Sequence, residues 1–251
     1  LVAGHSKWAN IKHRKAAQDA KKGAVYQRLT RAIIAAAKAG GGDPNANFRL
    51  KVAIERARAG NVPMDNIERA IKRGTGEIEG AIYEEVTYEG YGPAGVAILV
   101  ETMTDNRNRT AAEIRSIFSK GGGSIGEAGC VAWNFDRKGV IKVEAAGVDE
   151  ASLLDVAAEA GAEDMQLEGE VFEVYCEPSL MSQVGQAIRE AGYVVSNMEL
   201  AMIPKNTVVV SDKQEASKIL ALIDKFEDHD DVQNVYSNVE IPDEVLEQID
   251  A

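Results

Sequence analysis

Side chains suited to a polyanion crowd the start of this sequence. Lys7, Lys12, Arg14, Lys15, Lys21 and Lys22 are interleaved with the flat rings of His5, Trp8 and His13. Arg28 and Arg31 follow, then Arg56, Arg58, Arg69, Lys72 and Arg73. Lys and Arg displace counterions from a phosphate backbone, and exposed rings stack on unpaired bases. The chemistry these types support is nucleic-acid recognition rather than bond breaking. Trp8 can equally serve as an apolar anchor for its own segment. A second cluster runs Thr104-Asp105-Asn106-Arg107-Asn108-Arg109-Thr110 and precedes a predicted helix. Free amides at a helix start, with Arg107, Arg109 and Thr110, can hold an anion or a phosphate. The plainer reading is a capped polar turn whose arginines pair with nearby carboxylates.

Two glycine motifs suggest enzymes and fail on context. Gly90-Tyr-Gly92-Pro-Ala-Gly95 has the GxGxxG form, but Val96 to Val100 reads as a strand. A dinucleotide fingerprint needs a helix there, so a hairpin connection is expected. Gly122-Gly-Ser124-Ile-Gly126 has the GxSxG form, but helix, loop and strand follow in the wrong order for a nucleophile elbow. Cys130 and Cys176 lie far apart without a CxxC, and His5 and His13 stand among lysines that repel a cation. No catalytic residue, metal, cofactor or small-molecule substrate is expected, and the chain reads as a non-enzyme.

The 251 residues carry 28 basic and 40 acidic side chains, a net charge of −12. The average conceals a division. Residues 1–76 hold 16 Lys or Arg against 5 Asp or Glu, a net of +11, and residues 77–251 hold 12 against 35, a net of −23. Such asymmetry points the first part to a polyanion and lets the remainder repel it. No run approaches the ~20 apolar residues of a spanning helix, so no membrane partner is expected. The basic start lacks an apolar signal core and cysteine is sparse, so a cytoplasmic location is expected.

The elements that must position these residues begin as helices. One is predicted from His5 to Lys22, ending near Gly23. Others follow at Val25–Ala39, from Pro44 to Gly60 with Phe48, Leu50, Ile54 and Ala57 inside, and from Pro63 to Gly74. The first carries only Trp8 and Ile11 as large apolar residues. Their burial is worth a few kcal/mol, less than the ordering of such a segment costs. It is expected to be a mobile arm that orders on its partner. After Gly76 come strands at Tyr83–Glu89 and Val96–Glu101, and a helix opened by a capping box at Thr110–Glu113. A strand is expected at Cys130–Phe135, then strand, helix, strand, helix, strand over 140–203, and a βαβ unit over 207–239. An acidic tail closes the chain. This rhythm is that of ferredoxin-like α+β units. The expected fold is α+β: a basic helical domain (1–76), an α+β domain (77–136 with 206–240), an inserted ferredoxin-like domain (137–205), and the tail (241–251).

Ala3-Gly-His-Ser-Lys-Trp-Ala-Asn-Ile-Lys-His-Arg-Lys15 resembles the opening signature of the YebC/PmpR family, which includes the mitochondrial translational activator of cytochrome c oxidase subunit one. Further blocks resemble it: Gly40–Pro44, Asn66–Gly74, Tyr88–Pro93, Thr104–Thr110, and Gly121–Gly126 leading to Val131–Phe135. Leu1-Val2 replaces the usual Met. The resemblance implies a helical domain and two α+β domains, one inserted in the other. It also implies a cytosolic protein without enzymatic activity, either a transcriptional regulator on promoter DNA or a translation factor at the ribosome. The expected function is non-enzymatic regulation of gene expression through nucleic acid, promoter DNA or ribosomal RNA, held by residues 1–76. The alternative is a protein-interaction module whose acidic α+β domains dock a basic partner such as a ribosomal protein.

Overall fold

The computed structural model describes residues 22–80 and 83–250. The predicted His5–Lys22 arm therefore lies almost entirely outside the described residues. Among them the chain forms two compact units. One holds 22–132, 210–236 and 241–250, and the other holds Trp133–Val209 with Ser237–Glu240. The fold is α+β, with helices first and sheets after, as expected.

In the first unit α1 spans Lys22–Gly40, α2 Phe48–Ala59 and α3 Met64–Gly74. Helix α1 runs through Gly23, which was expected to end a helix. Ile33, Ile34 and Ala37 of α1 meet Leu50, Ala53, Ile54 and Ala57 of α2 and Ile67 and Ala70 of α3 in one core. Helix α2 starts at Phe48 rather than near Pro44, because Asn47 caps it by accepting the Leu50 N–H. The Asn47 amide also donates to the Ala36 and Gly41 carbonyls, both at 2.8 Å, so this buried side chain closes the α1–α2 turn. Phe48, the first residue of α2, is exposed, whereas Leu50, Ile54 and Ala57 are buried.

Small residues let α1 and α3 cross closely. A Cβ on Gly74 would lie 2.5 Å from the Ile34 carbonyl and 2.6 Å from the Ala37 Cβ. Gly74→Ala should therefore cost about 1–2 kcal/mol, overpacking outweighing the better helix propensity of alanine. A urea titration should show the lower midpoint. An unchanged or raised midpoint would show that the crossing relaxes freely.

Strands β1 (Glu84–Tyr91) and β2 (Ala97–Thr104) form a hairpin whose connection holds a 3-10 turn at Pro93–Gly95. The GxGxxG motif is thus a strand connection. Helix α4 (Arg107–Lys120) follows, and β3 (Ser124–Ile125) pairs back on β1. Gly90 is required by space, since a Cβ there would lie 2.4 Å from the Ser124 carbonyl and 2.8 Å from the Phe118 ring. Helix α4 starts at Arg107 with Asn106 as its cap, one turn before the expected capping box. Helix α7 (Lys213–Glu227) packs Phe226 edge-on against Phe118 with ring centroids 4.7 Å apart. Strand β9 (Val232–Ser237) then completes a sheet of order β3-β1-β2-β9. The expected acidic tail is a helix, α8 (Asp243–Asp250), which buries Val245 and Leu246.

Cys130–Phe135 was expected to be a strand. Instead the buried Glu89 carboxylate accepts the N–H groups of Gly129, Val131 and Ala132 at 2.7–2.9 Å. Those donors are spent on a side chain, so no ladder can use them. Burial pushes the Glu89 pKa up, but the three amide bonds overcome this and hold it below the usual range.

The second unit reads β4 (Phe135–Glu144), α5 (Glu150–Glu159), β5 (Ala162–Glu168), β6 (Val171–Cys176), α6 (Met181–Glu190) and β7 (Val195–Pro204). Its sheet order, β5-β6-β4-β7, is the ferredoxin-like arrangement. Where one strand was expected between the two helices of 140–203, Gly169 at a φ of 62° turns the chain into a β5–β6 hairpin. Strands β8 (Val208–Val209) and β10 (Val239–Glu240) pair in parallel as a separate two-stranded sheet. The expected 207–239 unit is therefore split, with β8 outside the sheet that β9 joins.

Candidate nucleic-acid interface

His5, Lys7, Trp8, Lys12, His13, Arg14, Lys15 and Lys21 lie outside the described residues, and Lys22 begins α1. The remaining candidates fall into two groups with different surroundings.

Arg69, Lys72 and Arg73 form the first. They stand at i, i+3 and i+4 of α3, share one face, and are exposed. Lys72 and Arg73 occupy the last turn, where outward carbonyls favour positive charge, so they need no carboxylate partner. Among the described residues none of the three is in an ion pair. Arg58 is exposed on α2, while Arg49 pairs with Glu85. The first turn of α3 presents Met64, Asp65 and Asn66, a poor set for reading base edges. Contact with phosphate suits this face better.

The second group turns inward. Arg28 Nη2 donates to the Glu227 carbonyl at 2.6 Å. Arg31 donates to the Asp230 carbonyl and pairs with Asp231 at 3.0 Å, and its guanidinium lies 5.3 Å from the centre of the Tyr83 ring. Arg109 meets the other Asp231 oxygen at 2.7 Å and Asp105 at 3.1 Å. The same Asp231 oxygen lies 2.7 Å from the Thr110 hydroxyl. Thr110 has one proton, which it gives to Asp231, so Thr104 must donate at the 2.8 Å contact between the two hydroxyls. Thr104 in turn accepts the Asn106 N–H at 2.8 Å. The chain of donors thus runs amide, hydroxyl, hydroxyl, carboxylate, each bond polarising the next. Arg107 is exposed beside it. The anion held by Arg109 and Thr110 in this structure is the protein's own Asp231.

Asp231 is 2 % exposed. Burial pushes its carboxyl pKa up, but the bonds from Thr110 and Arg109 and the charges of Arg109 and Arg31 outweigh this and hold it below the usual range. Nothing in the sequence marked it, because it closes the acidic run Glu227-Asp228-His229-Asp230-Asp231. Asp231, His229 and Glu113 converge closely enough to suggest a cation site. The donors are already committed. His229 Nδ1 accepts the Asp231 N–H at 3.1 Å, its Nε2 lies 2.8 Å from Glu113, and two guanidinium groups neutralise Asp231. Two adjacent arginines repel a cation, so the cluster does not fit one.

In the second unit a pocket of about 190 Å³ is bordered by Asp136, Lys138, Glu163 and Lys205. Lys138 pairs with Glu163 at 2.6 Å and Lys205 with Asp136 at 3.0 Å, so both lysines of the pocket are already held by carboxylates. No helix of the described residues is long and apolar enough to cross a membrane.

Residues 6–77 match the family domain described as the TACO1/YebC protein N-terminal domain, and residues 83–239 match the TACO1/YebC second and third domain. A probable transcriptional regulatory protein of Dictyoglomus turgidum is 57% identical over 249 residues, covering 99% of this chain and 100% of the relative. One from Caldanaerobacter subterraneus subsp. tengcongensis is 58% identical over 244 residues, covering 97% and 100%. The crystal structure of a conserved hypothetical protein from Aquifex aeolicus superposes with a TM-score of 0.86 at 46% identity, covering 95% of this chain and 98% of that one. With both domain matches in chain order and relatives this similar from end to end, the chain belongs to the TACO1/YebC family.

Proposed function

We propose that this protein is a non-enzymatic regulator of gene expression that binds nucleic acid through the basic helical domain, residues 1–76. The observation that carries this reading is the division of charge, +11 over residues 1–76 against −23 over the rest. The Arg69, Lys72 and Arg73 face supports it, since its three exposed cations are in no ion pair among the described residues. The names of the relatives, probable transcriptional regulatory proteins, support the regulatory role. The acidic remainder repels phosphate and so orients the complex. A helix start that reads bases poorly, with rings that can stack, favours structured RNA such as ribosomal RNA over a promoter duplex.

Binding isotherms of the full chain with a labelled duplex DNA and a labelled ribosomal RNA hairpin test the reading. If about six phosphates are neutralised, affinity for the true ligand should fall roughly a thousandfold between 50 and 200 mM salt. Tighter binding of the hairpin supports the RNA form, and tighter binding of the duplex the promoter form. No binding to either, or a flat salt response, would overturn the proposal.

A further inference from the structure

Asp231 stands where a phosphate would stand. Two guanidinium groups and a hydroxyl converge on it at 2.7–3.0 Å beside the first turn of the 14-residue helix α4. That donor set suits a phosphate oxyanion as well as a carboxylate. A second observation points the same way. Arg28 and Arg31, one helical turn apart on α1, end on the last residue of α7 and on the segment that follows it, at Glu227 and at Asp230 and Asp231. Four bonding partners from α1 and α4 are thus committed to one short stretch of the chain.

We propose that Asp231 is an internal competitor for nucleic-acid phosphate: it holds Arg31, Arg109 and Thr110 in the free protein and must release them before they can serve a phosphate. The inference rests on the nucleic-acid reading above. It divides the basic groups in two. Arg69, Lys72 and Arg73 are open from the outset and make the first contact. Arg28, Arg31 and Arg109 join only by exchanging Asp231 and its neighbouring carbonyls for phosphate oxygens. For Arg31 and Arg109 the exchange replaces one anion by another and keeps both guanidinium groups paired, while the freed Asp231 carboxylate has to move out to water as the segment opens. The competitor tunes affinity downward and makes firm binding depend on more than one phosphate arriving together.

The test compares the full-length wild type, Asp231→Asn and Asp230→Asn on the nucleic acid that the wild type binds. Asp230 is exposed, only its backbone carbonyl meets Arg31, and its charge acts on Arg28 alone of the three arginines, so Asp230→Asn makes the same charge change while keeping the carboxylate that Arg31, Arg109 and Thr110 share. Asp230→Asn should raise affinity about twofold and Asp231→Asn at least tenfold. Hydrogen exchange on the wild type supplies a readout that does not depend on a variant folding. Amides at 228–232 should exchange faster in the complex than in the free protein. Equal affinities for the two variants, or unchanged or slower exchange at 228–232 in the complex, would overturn the proposal while leaving wild-type nucleic-acid binding intact. Failure of the wild type to bind would instead remove the reading beneath it.

Discussion

Replacing Asp231 by alanine should lower folding stability by about 3 kcal/mol, because it removes the buried carboxylate that two guanidinium groups and a hydroxyl share and leaves Arg31 only the Asp230 carbonyl and Arg109 the exposed Asp105. That figure is the low one for breaking a buried ion pair. Arg109 is 44% exposed and is partly screened by water, whereas Arg31 at 16% is not. Asn at the same position should cost less, since it keeps the shape and can still accept from Thr110. The loss should depend on pH in a defined direction. The folded-state carboxyl of Asp231 titrates below its unfolded value, so its contribution is complete above about pH 4 and fades as pH falls through the folded pKa. Thermal melts of wild type and Asp231→Ala at pH 7 should differ most, and the gap should narrow at pH 3 and below. A gap that stays constant into acid would mean that the carboxylate charge is not what stabilises the cluster.

Removing residues 1–21, which leaves α1 from Lys22 onward, should weaken nucleic-acid binding by two orders of magnitude or more. The deleted piece carries Lys7, Lys12, Arg14, Lys15 and Lys21 with Trp8, His5 and His13. If each cation neutralises one phosphate, the slope of log affinity against log salt should become shallower by about four. The circular dichroism melt of the shortened chain should stay close to that of the full chain, because α1, α2 and α3 share a core that includes Ile33, Leu50, Ile54 and Ile67. A binding loss with an unchanged salt slope would assign the arm to stacking rather than charge. Full retention of binding would move the interface to α3 alone.

Much of this architecture was legible from local pattern. The apolar positions of α1 and α3, with glycines at their ends, placed two helices before any contact was known. The hairpin at Gly90–Gly95 followed from the strand after it. The errors share a cause, which is a partner distant in sequence. Cys130–Phe135 is apolar enough for a strand, but Glu89, some forty residues earlier, takes its amides. The start of α2 was set by a buried Asn47 bonded back to Ala36, which no propensity reveals. The final helix looked like a charged tail because only Val245 and Leu246 reach the core. At the candidate interface the basic residues were legible by type, but their states were not. Arg31 and Arg69 look alike in the sequence, yet one meets a carboxylate 200 residues further on and the other meets solvent.

Strand β2 takes its second neighbour from residues 232–237. During synthesis at the usual pace, roughly ten seconds or more separate the two, while the whole β4–β7 sheet is made between them. For that interval the Ala97-Ile98-Leu99-Val100 edge, one of the most apolar segments of the chain, has no ladder on that side and is open to pairing with another nascent chain. The carboxylate that gathers Arg31 and Arg109 arrives in the same late stretch. A ribosome that stalls short of residue 231 therefore leaves a product with an open sheet edge and unmatched arginines. Such a fragment should be sticky toward both protein and RNA, and so easily distinguished from the finished molecule by the machinery that clears incomplete chains.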